Sequence, residues 1–333
     1  MCVFTFMKKK ILLFCIVPAL ILTGAVFSQN VSCSETKFML DTYVTLTARG
    51  FNAKKAVAEC FDEIKNFEQK SSVYISDSEI SRLNETGEST LSDELLRLVS
   101  NAKIYTSETD GAFDITVKPL DDLWNIKNFT RVPTEDEIAE TMPKIGADNI
   151  EISENSVRLK NGAQIDLGGI AKGYLADKCA EIMQKYRVKS AICDLGGNIY
   201  ALGGKNIKIG LQNPNGARGE YFGCIEGKNI SVVTSGGYER FAELDGKKYI
   251  HIISPLSGKC AESDVASASI IGKSSEKCDA FATAVCVLGV EKGLEIVRAE
   301  EGIECVIADK NGRVYTSDNV NFKITDENFT RGN

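Results

Sequence analysis

The 333-residue chain contains a single histidine, His251, and this scarcity excludes more chemistry than any other count. A zinc site with several imidazole ligands, an H-E-x-x-H helix and a two-histidine relay cannot be built. Proton chemistry must rest on one imidazole, on carboxylates or on lysines. Basic residues are outnumbered: 39 Lys and Arg stand against 46 Asp and Glu, for a formal charge of −7. That balance argues against a nucleic-acid binder, which presents a basic face to phosphates. An acidic protein handling an anionic ligand needs local help, from a metal or from backbone N–H groups. None of the 11 cysteines forms a C-x-x-C pair, and their even spread fits neither a metal knuckle nor a small disulfide scaffold. Cys60, Cys179 and Cys286 fall on apolar positions of helical patterns and read as small buried hydrophobes. There are only six prolines, no Pro- or Ser-rich linker and no fixed-period repeat. The length suits one large domain or two intimate ones, and 43% hydrophobic with 26% charged residues is the balance of a soluble globular protein.

The one long apolar run lies at the start. Lys8, Lys9 and Lys10 precede Ile11 to Phe27, which is the charged and then hydrophobic order of an export signal. Val26 and Ser28 are small enough for cleavage after Ser28, giving a signal peptide over 1–28. Two other readings stay open. One is a lipoprotein signal over 1–32 with Cys33 as the lipidated first residue, although Asn30-Val31-Ser32 is a poor match to the usual Leu-small-small pattern. The other is a membrane span, since the run is near the lower limit of about 17–25 residues. Residues 1–28 hold three lysines and no acid, so their removal takes the charge from −7 to −10. The expected location is exported, on the periplasmic or cell-surface side of the inner membrane. So many thiols in an exported chain suggest a reducing or anaerobic setting.

Beyond the signal, Lys37 to Ala48 reads as one strand. Ala53, Ala56, Val57, Cys60, Phe61, Ile64 and Phe67 recur at helical spacing, and a second helix runs from Ser92 to about Thr109. Thr134 and Glu137 form a capping box. Asn161-Gly162 is the strongest short hairpin signal, and a third helix is predicted over Ala171 to Tyr186. Short strands follow at Ser190–Leu195, Asn198–Leu202, Ile207–Gln212, Tyr221–Glu226, Ile230–Thr234, Tyr249–Ile253 and Val265–Ile271, with Asp245-Gly246 turning one pair. A helix from Glu276 to Leu288 stops at Gly289. With few βαβ alternations, the fold class is α+β with largely antiparallel sheets and flanking helices.

Five places bear on the chemistry. Asp166-Leu167-Gly168-Gly169-Ile170-Ala171-Lys172-Gly173-Tyr174 joins an extended segment to a helix, where free N–H groups, the helix dipole and Lys172 would favour an anion. It matches neither a Walker A loop nor G-x-G-x-x-G, and a turn needing glycines for packing explains it equally well. Asp279 and Thr283 stand four apart on one helix face. With a backbone carbonyl and ligand phosphates they could hold a hard cation such as Mg²⁺; a dipole partner and an ordinary hydroxyl are the commoner meaning of that spacing. His251 ends an alternating strand, where a structural role is the commoner one. Thr234-Ser235-Gly236-Gly237-Tyr238 has no acid or base beside its hydroxyls and reads as a loop. Gly111 to Val117 with Trp124 suits a base-binding wall or a core corner.

Taken in order, these elements resemble the ApbE family of flavin transferases, from about Phe38 to Tyr315. The resemblance is carried by Asp41-Thr42-Tyr43; Ser72-Val73-Tyr74 with Ser78-Glu79 and Leu83-Asn84; Asp110 to Val117 with Pro119-Leu120; and Asp166 to Gly173 with Asp177. It continues through Leu195-Gly196-Gly197, Thr234 to Arg240, His251-Ile252-Ile253 with Pro255 and Gly258, and Asp279 to Thr283. It implies an ApbE-like domain over 37–320 that is exported, uses Mg²⁺ and cleaves the diphosphate of FAD. FMN would pass to a Thr or Ser hydroxyl of an exported acceptor protein, with release of AMP. Matching positions imply an FAD site lined by Leu40 (usually Met in the family), Tyr74, Ala112, Phe113, Asp114, Asp166, Lys172 and Ile253. They imply a metal held by the Gly169 carbonyl, Asp279 and Thr283, with His251 and Asp279 catalytic. Ser254 and Gly237 replace aspartates common in the family. Retention of Tyr74, where some relatives that hydrolyse FAD lack the aromatic, favours transfer over an FAD pyrophosphatase, and intact Asp279 and Thr283 speak against a non-catalytic FAD-binding lipoprotein.

Overall fold

The computed structural model describes residues 31–332 except Glu239, so the expected signal segment lies outside the described residues. In chain order the elements begin with β1 (Ser32–Met39), β2 (Thr42–Arg49), α1 (Ala53–Ser71), α2 (Glu79–Thr86), β3 (Glu88–Thr90), α3 (Asp93–Glu108), α4 (Lys118–Trp124) and α5 (Glu135–Thr141). There follow β4 (Ile150–Ile152), β5 (Ser156–Leu159), α6 (Ala171–Lys185), β6 (Ser190–Leu195), β7 (Asn198–Gly203), β8 (Ile207–Gln212), β9 (Tyr221–Gly227), β10 (Ile230–Ser235), β11 (Phe241–Leu244) and β12 (Lys247–Ile250). The chain closes with β13 (Val265–Gly272), α7 (Ser275–Leu288), α8 (Val290–Ala299), β14 (Ile303–Asp309), β15 (Arg313–Thr316), β16 (Phe322–Ile324) and β17 (Thr330–Arg331). A nine-stranded sheet in the order β1-β2-β6-β7-β10-β13-β14-β15-β17 organises the molecule, antiparallel throughout except for the parallel pair β15–β17. The expected α+β class with largely antiparallel sheets is what the chain adopts. Among the described residues no helix is long and apolar enough to cross a membrane.

Burial explains the strand patterns. Along β2 buried Val44, Leu46 and Ala48 alternate with less buried residues, as suits a strand covered chiefly on one side. In β10, β13 and β14 the alternation disappears, because both faces are covered. Val233, Ile270 and Ile307 pack with α7, while Val232, Ile271 and Val306 pack with the small sheet β16-β9-β8. Helices α1 and α6 share the first core with β2 and β6. The nine described cysteines are free thiols, and Cys60, Cys179 and Cys286 are buried as expected.

Three expectations need correction. The single strand Lys37 to Ala48 is a hairpin, β1 and β2, turned at Leu40-Asp41 with both residues left-handed (φ 53° and 57°). Leucine is a costly residue there, and the turn is held from outside by the Leu40 N–H donating to Glu68 Oε1 at 3.0 Å. Asn161-Gly162 does turn the chain, with the Ala163 N–H donating to the Lys160 carbonyl at 2.9 Å, but no second strand follows. Asn84 takes its place: Nδ2 donates to the Ile165 carbonyl and Oδ1 accepts the Ile165 N–H, both at 2.8 Å. Finally, β12 stops at Ile250, so His251 lies just past a strand end, and Ile253 makes an isolated bridge to Cys260.

Ile165 is fully buried, so losing the Asn84 amide orphans two backbone groups. Asn84→Ala is expected to cost at least about 1–3 kcal/mol, read as a lower urea midpoint with an unchanged slope.

Candidate active site

The site grows from the way α6 begins. Gly173 meets α7 backbone to backbone: a Cβ there would lie 2.3 Å from the Ser275 carbonyl oxygen and 2.8 Å from Asp279 Cβ. Only glycine allows that crossing. Its N–H, one of the unpaired donors at a helix start, goes to Asp279 Oδ2 at 2.8 Å rather than to the carbonyl of Gly169 four residues earlier. Among the described residues nothing donates to that Gly169 carbonyl. The helices are locked reciprocally, because Asp177 of α6 caps α7, accepting from the N–H groups of Ser275 and Glu276 at 2.8 and 3.0 Å and from Ser274 Oγ at 3.3 Å.

Three oxygen donors therefore share one corner. Asp279 is 3% exposed; burial raises its pKa, while Lys172, the Asn198 amide and the Gly173 N–H oppose the shift. One turn later on α7 stands Thr283, whose hydroxyl makes no hydrogen bond among the described residues and lies 3.8 Å from where a Gly169 Cβ would sit. A free carbonyl, a free hydroxyl and a carboxylate with one oxygen uncommitted are a hard donor set. No group of three or more His, Cys, Asp or Glu converges among the described residues, so an all-carboxylate or thiolate cage is absent from them. The corner fits Mg²⁺, which keeps waters and takes ligands from substrate phosphates.

Lys172 lies within electrostatic range of Asp279, Asp194 and His251 and so links the corner to the rim. On the rim, His251 is exposed, with protein packed around it. That surrounding mass lowers its pKa to about 4, with Arg240 and Lys172 adding to the shift. His251 Nδ1 lies 3.1 Å from the Arg240 carbonyl. A carbonyl can only accept, so Nδ1 carries the proton and Nε2 the lone pair. Arg240 reaches on to Asp41 with its guanidinium, 2.8 Å from the carbonyl and 3.5 Å from the carboxylate. Lys127 stands 4.0 Å from the same carboxylate and 5.7 Å from the Tyr74 ring centre. Tyr74 is 84% exposed, and surrounding protein and the charges of Asp166 and Asp121 raise its phenol pKa.

The expected residues thus fall in four settings. Gly169, Lys172, Asp279 and Thr283 form the corner, with the Phe113 ring 3.2 Å from where a Gly169 Cβ would be. Leu40, at the hairpin tip, joins Tyr74 and His251 on the rim. Asp166 stands at the entry, its carboxylate accepting the Gly168 N–H at 2.7 Å and its pKa raised by burial. Ala112, Phe113 and Ile253 are buried. Asp114 is 5% exposed and turned inward, where Oδ1 accepts from the Thr116 N–H and hydroxyl at 2.8 and 2.7 Å. Trp124 belongs to a core corner, with Nε1 donating to the Gly258 carbonyl at 2.8 Å. Sequence reasoning passed over two residues. Asp121, next to Pro119-Leu120, has its pKa raised to about 8 by burial and by Asp166. Asn198, next to Gly196-Gly197, lies by Asp279. Each directly follows a quoted motif, which was the available signal.

The profile of the ApbE family matches residues 40–307, which takes in every part of the corner and rim. The chain belongs to the ApbE family. It is 34% identical over 287 residues to an FAD:protein FMN transferase of Treponema pallidum (strain Nichols), covering 79% of each chain. It is 33% identical over 264 residues to a protein of that name from Klebsiella pneumoniae (strain 342), covering 77% of this chain and 83% of that one. Among solved structures, the ApbE protein of Thermotoga maritima superposes with a TM-score of 0.81 at 29% identity, over 86% of this chain and 97% of that one. The apo flavinyl transferase ApbE of Pseudomonas stutzeri gives 0.76 at 26% identity, over 87% and 95%.

Proposed function

We propose that this ApbE-family chain is an Mg²⁺-dependent transferase that moves FMN from FAD to a Thr or Ser hydroxyl of an exported acceptor protein. The observation that carries this is the diverted Gly173 N–H, which leaves the Gly169 carbonyl open beside Asp279 and Thr283 in a chain whose relatives are named FAD:protein FMN transferase. When bound there, Mg²⁺ supplies the charge that offsets the FAD diphosphate and polarises the phosphorus under attack. The chain does the rest. Lys172 and the positive dipole end of α6 attract phosphate oxygens, in a protein whose overall charge would otherwise repel them. His251 Nε2 takes the proton of the acceptor hydroxyl as its oxygen bonds to the FMN-side phosphorus. The bond to the AMP-side oxygen breaks, and AMP leaves with that oxygen. Leu40, Tyr74, Ala112, Phe113, Asp114, Asp166 and Ile253 are the proposed flavin-nucleotide lining. The buried members shape its wall, Asp114 through the turn it caps. Export is part of the proposal, by cleavage after Ser28 or lipidation at Cys33, and rests on the lysines and apolar run ahead of β1.

The test is to incubate mature protein with FAD, Mg²⁺ and an exported flavoprotein fragment bearing a Ser/Thr acceptor. Flavin fluorescence that survives denaturation, with equimolar AMP, is expected. AMP with free FMN would show hydrolysis instead, and neither product would reduce the chain to a flavin binder.

A further inference from the structure

Asn198 opens β7 after two left-handed glycines, Gly196 and Gly197 (φ 69° and 95°). Asp194 Oδ1 holds that turn by accepting both glycine N–H groups, at 3.0 and 3.3 Å. The result is an asparagine at 0% exposure whose Nδ2 and Oδ1 both lack a hydrogen-bond partner. Among the described residues it is the one side chain with two orphaned polar atoms; the others are single serine hydroxyls. Burying such groups unpaired is costly, and a leucine of similar size would avoid the cost. Its amide lies close enough to Asp279 to favour the ionised carboxylate without reaching hydrogen-bonding geometry. Gly173 already holds Asp279 Oδ2 from the opposite helix.

We infer that Asn198 is a positioning residue for the metal corner: its buried amide orients the Asp279 carboxylate when the cation and FAD are bound. This rests on the metal reading proposed above. Groups that hold a metal ligand in place typically matter 10–100-fold to metal affinity. A buried amide without a protein partner is also the pattern of stability given up for function.

The test uses Mn²⁺ as probe, titrated by EPR into the mature protein saturated with FAD. Thermal unfolding and metal-free FAD affinity are measured alongside. Asn198→Leu is expected to unfold at the same or a higher temperature, to bind FAD without metal within about twofold of wild type, and to bind Mn²⁺ about 10–100-fold more weakly. Asn198→Ala, which adds no bulk, is expected to show the same loss and serves if the leucine variant does not fold. Mn²⁺ affinity within twofold of wild type in a folded variant overturns the inference and leaves the metal corner standing. Failure of the wild-type protein to bind Mn²⁺ overturns both.

Discussion

Asp279→Ala is expected to lower metal-dependent kcat/KM for flavin transfer by at least about a thousandfold, near 4 kcal/mol of transition-state stabilisation. The carboxylate is the only charged donor in a corner otherwise made of a carbonyl and a hydroxyl, so its loss leaves little to hold a divalent ion. Alanine also orphans the Gly173 N–H that Asp279 Oδ2 accepts at 2.8 Å, and that fault could be mistaken for the functional one. Asp279→Asn separates them, because the amide oxygen still accepts the N–H while the charge is gone. Burial raises the Asp279 pKa above that of an unfolded aspartate. The folded state therefore binds protons more readily, and the ionised form costs it stability at neutral pH. The asparagine variant should thus unfold at the same or a higher temperature at pH 7 while losing activity to a similar degree. Wild-type turnover in either variant would remove the metal corner from the mechanism.

What could be read in advance followed a physical rule. Helices whose apolar residues recur at three and four, such as α1 and α6, were legible because one face packs on the sheet, and the Thr134–Glu137 capping box was found where expected. The misses are places where a distant group replaces a local signal. Leu40-Asp41 carries no Asn-Gly or Asp-Gly turn signal; Glu68, 28 residues away, holds the turn. Asn161-Gly162 carries the strongest one, yet the Asn84 side chain occupies the edge a second strand would use. Strand β14 and helix α8 were not resolved in the sequence, since burial on both faces removes alternation from the first and the second follows α7 after Gly289 alone. At the site, Asp279 and Thr283 could be paired from their spacing. The diversion of the Gly173 N–H could not, because it depends on two helices 106 residues apart in sequence touching at one glycine.

His251→Ala should cut kcat by about 10²–10⁴, the usual worth of a positioned general base, with FAD affinity and Mn²⁺ affinity unchanged because the ring holds neither. The pH profile carries the sharper test. A base must be neutral, and the protein around His251, with Arg240 and Lys172, lowers its pKa to about 4 from the ordinary 6.5. Wild-type kcat should therefore stay level down to about pH 5, where an unperturbed imidazole would be mostly protonated, and fall below that. The linkage runs the same way. Between pH 6.5 and 4 the unfolded chain binds a proton that folded His251 refuses, so acidification through that window lowers stability. His251→Gln should remove this part of the acid sensitivity, seen as a smaller drop in the urea midpoint between pH 7 and 5. Arg240→Gln should move the acid limb upward by only a fraction of the total shift, since desolvation by the surrounding protein is the larger cause and the backbone carbonyl that fixes the tautomer remains. An acid limb at pH 6.5 in the wild-type enzyme, unmoved in the arginine variant, would show that the titrating base is not His251.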